Sequence, residues 1–186
     1  MLAPNHVYEL VLKGVFEAKI SQVTTNPDIP LFKKFRENWK NVDPEKIQSY
    51  IEKLSCLNVS EIEIARDDYR ELIELSIIFL GGDTEKKFKI RPPGAMHQAR
   101  CMARAIYSLK ISLFSSQFRS SNKDKAALLD VCLFIVTSYV KPWLQCTLAV
   151  PGFVLFEGHE GLRNNRQKHL KSSFTEVLPA FMVFVR

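Results

Sequence analysis

One stretch of the chain, from Arg91 to Phe114, constrains the fold more than any other. It opens with Arg-Pro-Pro-Gly, which interrupts regular structure because proline fixes φ and disfavours helix in the residue before it. The rest of the stretch is rich in alanine, methionine, leucine and arginine, which favour helix. An apolar stripe at helical spacing comprises Ala99, Met102, Ile106, Leu109 and Leu113. The stretch therefore predicts a central helix, from about Gly94 to Phe118, around which the other helices pack.

Five further segments carry apolar residues at helical spacing. They are Asn5–Ile20, Leu31–Val42, Asp43–Leu54, Glu61–Leu80 and Ala126–Leu148. Glycine is sparse, at 7 of 186 residues, which disfavours a turn-rich β architecture. The predicted fold is all-α, an irregular multi-helix bundle of about six helices in a domain of residues 1–150. Residues 151–186 are poorly patterned and are predicted to form a divergent tail.

Glycine, proline and polar clusters predict where these helices are separated. Gly81-Gly82 is predicted to end the preceding helix, because glycine commonly follows a helix C-terminus. The alternating segment Lys86–Ile90 predicts a short extended piece, and the polar segment Arg119–Lys125 predicts a loop. Pro142 is predicted to kink or break the last helix, since proline removes a backbone donor.

Composition narrows the cellular setting. The formal net charge of +6 favours acidic partners such as nucleic acid or an anionic membrane surface, and it is also compatible with simple solubility. The four cysteines include no CxxC pair, which predicts reduced thiols in an intracellular protein and no zinc site. Met1–Phe16 does not resemble a signal peptide, and no apolar run is long enough to span a membrane. We therefore expect no membrane association, no metal and no cofactor.

The charge is most unevenly distributed between Lys86 and Lys125, where ten lysines and arginines accompany one acidic residue, Asp124. Such cations suit phosphate contact, and arginine suits it particularly because its guanidinium can bind two oxygens at once. The predicted DNA-binding residues are Lys86, Lys87, Lys89, Arg91, Arg119, Lys123 and Lys125.

An acidic helix offers a second interpretation of part of this charge. Its polar face carries Asp67, Asp68, Glu71 and Glu74. Arg100 and Arg104 share a helix face and are predicted to pair with these carboxylates. Together with His97 they would be structural polar groups that orient the central helix. The carboxylates could also be considered for metal or acid–base chemistry, but no histidine accompanies them at ligand spacing, so they predict an ion-paired face.

His97 and Cys101 lie four residues apart on one helix face and could form a nucleophile pair or half of a metal site. Activation of the thiol would require an exposed thiolate and a third, orienting group, and the sequence shows neither. We interpret the two residues as small polar groups on a mostly buried helix. Phosphate-loop, dinucleotide-binding, serine-hydrolase and zinc-protease motifs are absent from the sequence, so no catalytic residue is predicted.

Three segments resemble a known family. The segment Arg66–Gly82 (RDDYRELIELSIIFLGG), the stretch Arg91–Phe114 and the segment Leu128–Val150 are similar to an uncharacterised, transposon-associated family of invertebrate genomes. The longer members of that family resemble hAT-type transposases. In such enzymes an RNase H-like core carries three catalytic carboxylates, and a large helical insertion precedes the third.

The resemblance also accounts for the beginning of the chain. The segment Ala3–Val11 (APNHVYELV) looks like the Cys-x-x-His segment that follows the second carboxylate, with His6 in the histidine position and Ala3 in place of the cysteine. The first two carboxylates would lie before Met1. The third is not assignable, because the sequence after Val150 departs from the family.

Metal-assisted strand cleavage requires carboxylates that converge on the cations. The resemblance therefore implies a non-catalytic helical fragment of a hAT-like transposase, with no cofactor and a nuclear location. Its implied partners are DNA and the rest of a transposase or a like chain. The alternative is a helical protein-interaction or structural domain that does not bind nucleic acid and whose arginine faces are paired internally.

Overall fold

A computed structural model of the chain describes residues 4–20, 29–47, 67–82, 90–94 and 102–140. Its five α-helices are α1 (Pro4–Lys19), α2 (Pro30–Asn38), α3 (Asp67–Phe79), α4 (Ala103–Leu113) and α5 (Asn122–Phe134). A 3-10 turn (Trp39–Asn41) follows α2, and a π-helical turn (Ile135–Tyr139) continues α5. The described residues contain no strand, which confirms the all-α prediction for this part of the chain.

Helix α4 lies at the centre of the described structure. Every residue of α4 except Arg104 is buried, and the helix packs against α1, α3 and α5. A helix of a small protein can bury nearly its whole circumference only when neighbours cover it on all sides. The prediction of a central helix is therefore confirmed, but its bounds differ from the predicted Gly94–Phe118, because α4 begins at Ala103 and ends at Leu113, after which residues 114–117 form a turn. Serines at positions 115 and 116 favour that ending, since serine competes with the helix for backbone hydrogen bonds.

Aromatic rings join α2 to the rest of the core. Phe32 packs edge-on against Phe16 of α1 at 5.2 Å between ring centroids and stacks on Tyr107 of α4 at 4.9 Å. Trp39 packs against Phe114, and Phe35 packs against Phe118, each at 5.5 Å. Each such pair is worth about 0.5–1.5 kcal/mol beyond the apolar area that it buries. These contacts hold α2 alongside residues 114–118.

The end of α3 confirms the prediction at Gly81-Gly82. The Gly81 N–H donates to the Ile78 carbonyl at 3.0 Å, and the Gly82 N–H donates to the Ile77 carbonyl at 2.9 Å. This pair of bonds is a Schellman motif, which requires a left-handed residue after the helix. Gly81 has φ 77° and meets that requirement without the strain that a side chain would add.

The prediction that Arg119–Lys125 is a loop is wrong in its second half, because α5 begins at Asn122. The Ser121 hydroxyl accepts a hydrogen bond from the Asp124 N–H at 3.0 Å and donates to the Asp124 carboxylate at 2.7 Å. Ser121 is therefore an N-cap, and such a cap satisfies backbone donors that a helix start leaves unpaired.

The helix predicted over Asp43–Leu54 does not begin at its expected start. The Asp43 carboxylate does accept the capping bond from the Glu45 N–H at 3.0 Å, but residues 44–47 form a turn. The Gln117 carboxamide explains the difference, because it donates to the Asp43 and Lys46 carbonyls at 3.0 and 2.7 Å. A continuing helix would need those carbonyls as acceptors. Residues 48–54 lie outside the described residues.

The last helix changes its winding before Pro142. At Ile135–Tyr139 the backbone hydrogen bonds span five residues, as in a π-helix, instead of four. The Val140 N–H, for example, donates to the Ile135 carbonyl. The Thr137 hydroxyl donates to the Leu133 carbonyl at 2.7 Å and so occupies an acceptor of the preceding turn. Insertions of this kind are a recognised cause of irregular helix geometry. Pro142 itself lies outside the described residues, as do residues 83–89, 95–101 and the predicted tail at 151–186.

None of the helices in the described ranges combines the length and the apolar content that crossing a bilayer requires.

Candidate nucleic-acid interface

The residues predicted to bind DNA fall into two groups in the structure. Lys86, Lys87 and Lys89 lie outside the described residues. Arg119 and Lys123 are exposed near the start of α5, and Lys125 is half-buried there. Arg91 lies elsewhere, beside α3, where its guanidinium pairs with the Asp67 carboxylate at 2.9 Å. Among the described members of the set, Arg91 is thus engaged by α3, whereas Arg119, Lys123 and Lys125 lie near the start of α5.

Helix α2 brings further cations to Arg119. The Lys34 ammonium donates to the Arg119 carbonyl at 3.1 Å and lies 5.6 Å from the centre of the Phe118 ring. Lys33 is exposed on α2, and Lys40 is exposed in the 3-10 turn that follows it. We call the exposed cations Lys33, Lys34, Lys40, Arg119 and Lys123 the basic face.

Contacts between residues 34–39 and residues 114–119 bring the two parts of the basic face together. Lys34 meets Arg119, Phe35 meets Phe118 and Trp39 meets Phe114, so that the two segments run side by side in opposite directions. The acids on and beside these segments include the exposed Glu37 and Glu45 and the partly buried Asp43 and Asp124. Within the described residues, no ion pair engages any of the five cations. Their charges are thus available to an external anion.

A cleft of about 330 Å³ lies at the centre of the basic face. Lys34 and Pro30 of α2 form one wall, and Arg119, Ser121 and Asp124 form the other. The cleft opens beside the start of α5, where the helix dipole places partial positive charge. The Asp124 carboxylate reduces this potential, although it already accepts a hydrogen bond from Ser121 at 2.7 Å. A phosphate oxygen would find an ammonium, a guanidinium and polar hydroxyl groups at this position.

Sequence reasoning missed the contribution of α2 to this surface. The pattern of α2 shows lysines opposite an apolar stripe, which is also what an ordinary solvated face looks like. Lys34 and Arg119 are 85 residues apart in sequence, so no local spacing connects them. The signal that could have found them is the aromatic positions Phe35 and Trp39, whose partners Phe118 and Phe114 fix the side on which α2 packs.

The acidic helix α3 pairs with cations other than those predicted. The Lys110 ammonium is 2.7 Å from the Glu71 carboxylate, and the two side chains are only 2% and 10% exposed. Lys110 also donates to the Arg91 carbonyl at 2.8 Å, and the Arg91 N–H donates to Glu71 at 3.3 Å. With the Arg91–Asp67 pair, these bonds fasten the segment 91–94 to α3 and α4. We call this set the buried network.

The prediction that Arg104 pairs with α3 is wrong. Within the described residues no ion pair joins Arg104 to Asp67, Asp68, Glu71 or Glu74. The rotation of α4 explains this, since Lys110 rather than Arg104 lies on the side that meets α3. His97 and Arg100 lie outside the described residues.

Burial changes the acid–base behaviour of the buried network. It lowers the pKa of Lys110, while the adjoining Glu71 carboxylate opposes that change. Burial also raises the pKa of Glu74, one turn after Glu71. The buried network holds α3 and α4 together. Of its cations, Arg91 is half-exposed and Lys110 is buried.

Arg104 instead lies near Glu9 of α1. The Tyr139 hydroxyl donates to the Glu9 carboxylate, and the positive charge of Arg104 also acts on Glu9. Burial raises the pKa of Glu9 from 4.5 to about 7, against the lowering effects of the Tyr139 hydrogen bond and of Arg104. We call Glu9, Arg104 and Tyr139 the carboxylate cluster.

The cysteine chemistry considered from the sequence finds no support in the described residues. Cys132 is fully buried, and burial raises the pKa of its thiol, so it behaves as a small apolar side chain. Cys101 and His97 lie outside the described residues. In the ranges that the structure describes, no three His, Cys, Asp or Glu side chains are grouped so as to hold a metal ion.

Comparisons of the chain with protein-family models, with curated proteins and with solved structures find no match. The resemblance to a transposon-associated family therefore stays a prediction from the sequence segments alone.

Proposed function

We propose that this chain is a non-catalytic helical fragment of a hAT-like transposase that binds DNA through the basic face. One observation carries the DNA part of the proposal: Lys34 and Arg119, from distant parts of the sequence, meet at one cleft while neither makes an ion pair in the described residues. The transposase part rests on the sequence resemblance.

The proposed attraction between the basic face and DNA is electrostatic. A cation that approaches a DNA phosphate releases a condensed counterion, so each contact adds about −0.9 to the slope of log affinity against log salt. Lys33 and Lys34 are exposed on α2 and Lys40 is exposed in the turn after it, and the Lys34–Arg119 contact brings this segment beside the exposed Arg119 and Lys123. Cations arranged in this way can follow a phosphate backbone without reading bases. We therefore propose sequence-tolerant contact with the DNA backbone.

The test measures fluorescence anisotropy of a labelled duplex of about 20 base pairs at salt concentrations from about 50 to 200 mM. The double variant Lys34→Gln with Arg119→Gln should weaken binding at low salt by at least about tenfold and lower the salt slope by about 1.8. The control is Lys13→Gln on α1, an exposed lysine whose partner is Glu17. Binding that lacks salt dependence, or that the control weakens equally, contradicts the proposal.

The buried network favours the second candidate function, a structural or protein-interaction helical domain. Its cations are satisfied by Glu71 and Asp67 instead of by an external anion. In that case the exposed Arg91–Asp67 pair contributes at most about 1 kcal/mol to stability, and Arg91→Gln leaves DNA affinity unchanged. An Arg91→Gln variant that folds as stably as the parent chain and binds DNA more weakly would return Arg91 to the DNA-binding set.

A further inference from the structure

The carboxylate cluster joins three separate elements through one polar group each. Glu9 comes from α1, Arg104 from α4 and Tyr139 from the last position of the π-helical turn. Tyr139 is 1% exposed, and its hydroxyl donates to the Glu9 carboxylate across a sequence separation of 130 residues. Arg104 is the one residue of α4 that is not buried, and it lies on the side that meets Glu9. The cluster thus adds a polar contact between α1 and the end of α5 to the Lys19–Asp130 ion pair, which also joins α1 to α5.

We propose that Glu9, Tyr139 and Arg104 form a protonation-sensitive contact that fastens α1 to the π-helical turn. In the protonated form, the neutral carboxyl group shares a hydrogen bond with the Tyr139 phenol and is readily accommodated by the interface. In the ionised form, Glu9 has released its proton to solvent, and the buried carboxylate has lost hydration that the Tyr139 hydrogen bond and Arg104 replace only in part. Separation of α1 from the π-helical turn returns the carboxylate to water, so ionisation favours the separated form and loosens α1.

The electrostatic surroundings support this behaviour. Burial is the largest influence on Glu9 and raises its pKa to about 7, near neutral pH. The two lysines of α1 form ion pairs with other carboxylates than Glu9. Lys19 pairs with Asp130 of α5 at 3.3 Å, and Lys13 pairs with Glu17 at 3.8 Å. From α4 the charged group facing Glu9 is Arg104, and from the π-helical turn the titratable group is Tyr139.

The direction of the pH effect follows from linkage. Because the folded chain holds the Glu9 proton more tightly than the unfolded chain, the contact contributes its full stability below about pH 4.5 and loses it as the pH rises through about 7. Helix α1 is therefore fastened in mildly acidic solution and loosened in mildly alkaline solution. π-Helical turns are rare and occur frequently at functional sites, and such a turn supplies one partner here.

The test uses the full chain and follows two signals between about pH 5.5 and 8.5. The first is the ¹³C chemical shift of the Glu9 carboxyl carbon, which should titrate near pH 7. The second is amide hydrogen exchange in α1, corrected for intrinsic rates, where protection should fall at least about tenfold over this range while protection in α3 does not. Glu9→Gln should abolish the pH dependence in α1, because glutamine keeps the hydrogen bond but has no proton to lose.

Two controls separate this contact from other titrations. Glu17→Gln removes an exposed carboxylate of the same helix, and His6→Asn removes the histidine that precedes Glu9 by three residues. Both should keep the pH dependence. Tyr139→Phe removes the hydrogen bond that favours the ionised carboxylate and should raise the Glu9 titration point further. A Glu9 carbon that titrates near 4.5, an effect abolished by His6→Asn, or no response to Tyr139→Phe overturns the proposal.

Discussion

At the residue scale, the position with the greatest expected effect on folding is Lys110. Its ammonium is buried against Glu71, and the two groups also bind both backbone groups of Arg91. A buried ion pair need not stabilise a protein relative to an apolar pair, but removal of one partner leaves an uncompensated buried charge. The buried network is thus a local source of fold specificity whose members depend on each other.

Lys110→Met should lower the free energy of unfolding by about 3–5 kcal/mol, because Glu71 would remain buried without its cation. Replacing Glu71 as well, with leucine, should recover part of that loss, although the Arg91 backbone groups would still lack partners. Urea unfolding of the single and double variants measures both quantities. Strictly additive losses would show that the two side chains do not interact.

Residue-scale features explain most of what the sequence could not predict. The helical pattern around Lys110 does not indicate that its side chain is buried, because its partner Glu71 is 39 residues away in the sequence. The sequence predicts that Arg104 faces α3, whereas in the structure it lies near Glu9 of α1. Local spacing identifies which residues share a helix face, but it does not determine which neighbour that face meets.

At the element scale, helix boundaries depend on a few capping residues. Gly81 ends α3 in the left-handed region, and Ser121 begins α5 through its hydrogen bonds with Asp124. The end of α3 is predictable from the sequence, because two adjacent glycines follow the helical pattern. The start of α5 is also marked in the sequence, by Ser-x-x-Asp, but the surrounding polar residues favoured a loop interpretation.

Two glycines should respond in opposite directions to alanine. Gly81→Ala should destabilise the chain by about 1 kcal/mol, because alanine is strained in the left-handed region. Gly14→Ala should stabilise it by about 0.5–1 kcal/mol, since Gly14 lies inside α1 with open space around its Cα. Thermal unfolding of both variants provides the comparison. The same sign of change for both would contradict the assigned conformations.

The cap of α5 can be tested separately. Ser121→Ala should lower the free energy of unfolding by about 0.5–2 kcal/mol, because the Asp124 N–H loses its acceptor. Ser116→Ala is the matched control, since Ser116 is exposed in the turn after α4. Urea titration followed by circular dichroism measures both. Equal effects at the two serines would argue against an N-cap at position 121.

At the scale of the whole molecule, the apolar periodicity was sufficient to predict an all-α fold with a central helix. Periodicity reports burial within one helix, and burial is what organises the described core. The basic face was only partly predictable, because it forms where α2 and the turn after it pack against residues 114–119 through aromatic contacts between distant residues. Arg119 and Lys123 were identified from local charge, whereas Lys34 required the packing of α2.

The proposed DNA contact can be mapped directly on the molecule. Amide chemical shifts of the ¹⁵N-labelled chain, recorded as a short DNA duplex is added at low salt, report which surface binds. The account predicts shifts concentrated at Lys33, Lys34, Lys40, Arg119 and Lys123, which diminish as salt is raised. No shifts, or shifts concentrated on α1 and α3 away from these residues, would contradict it.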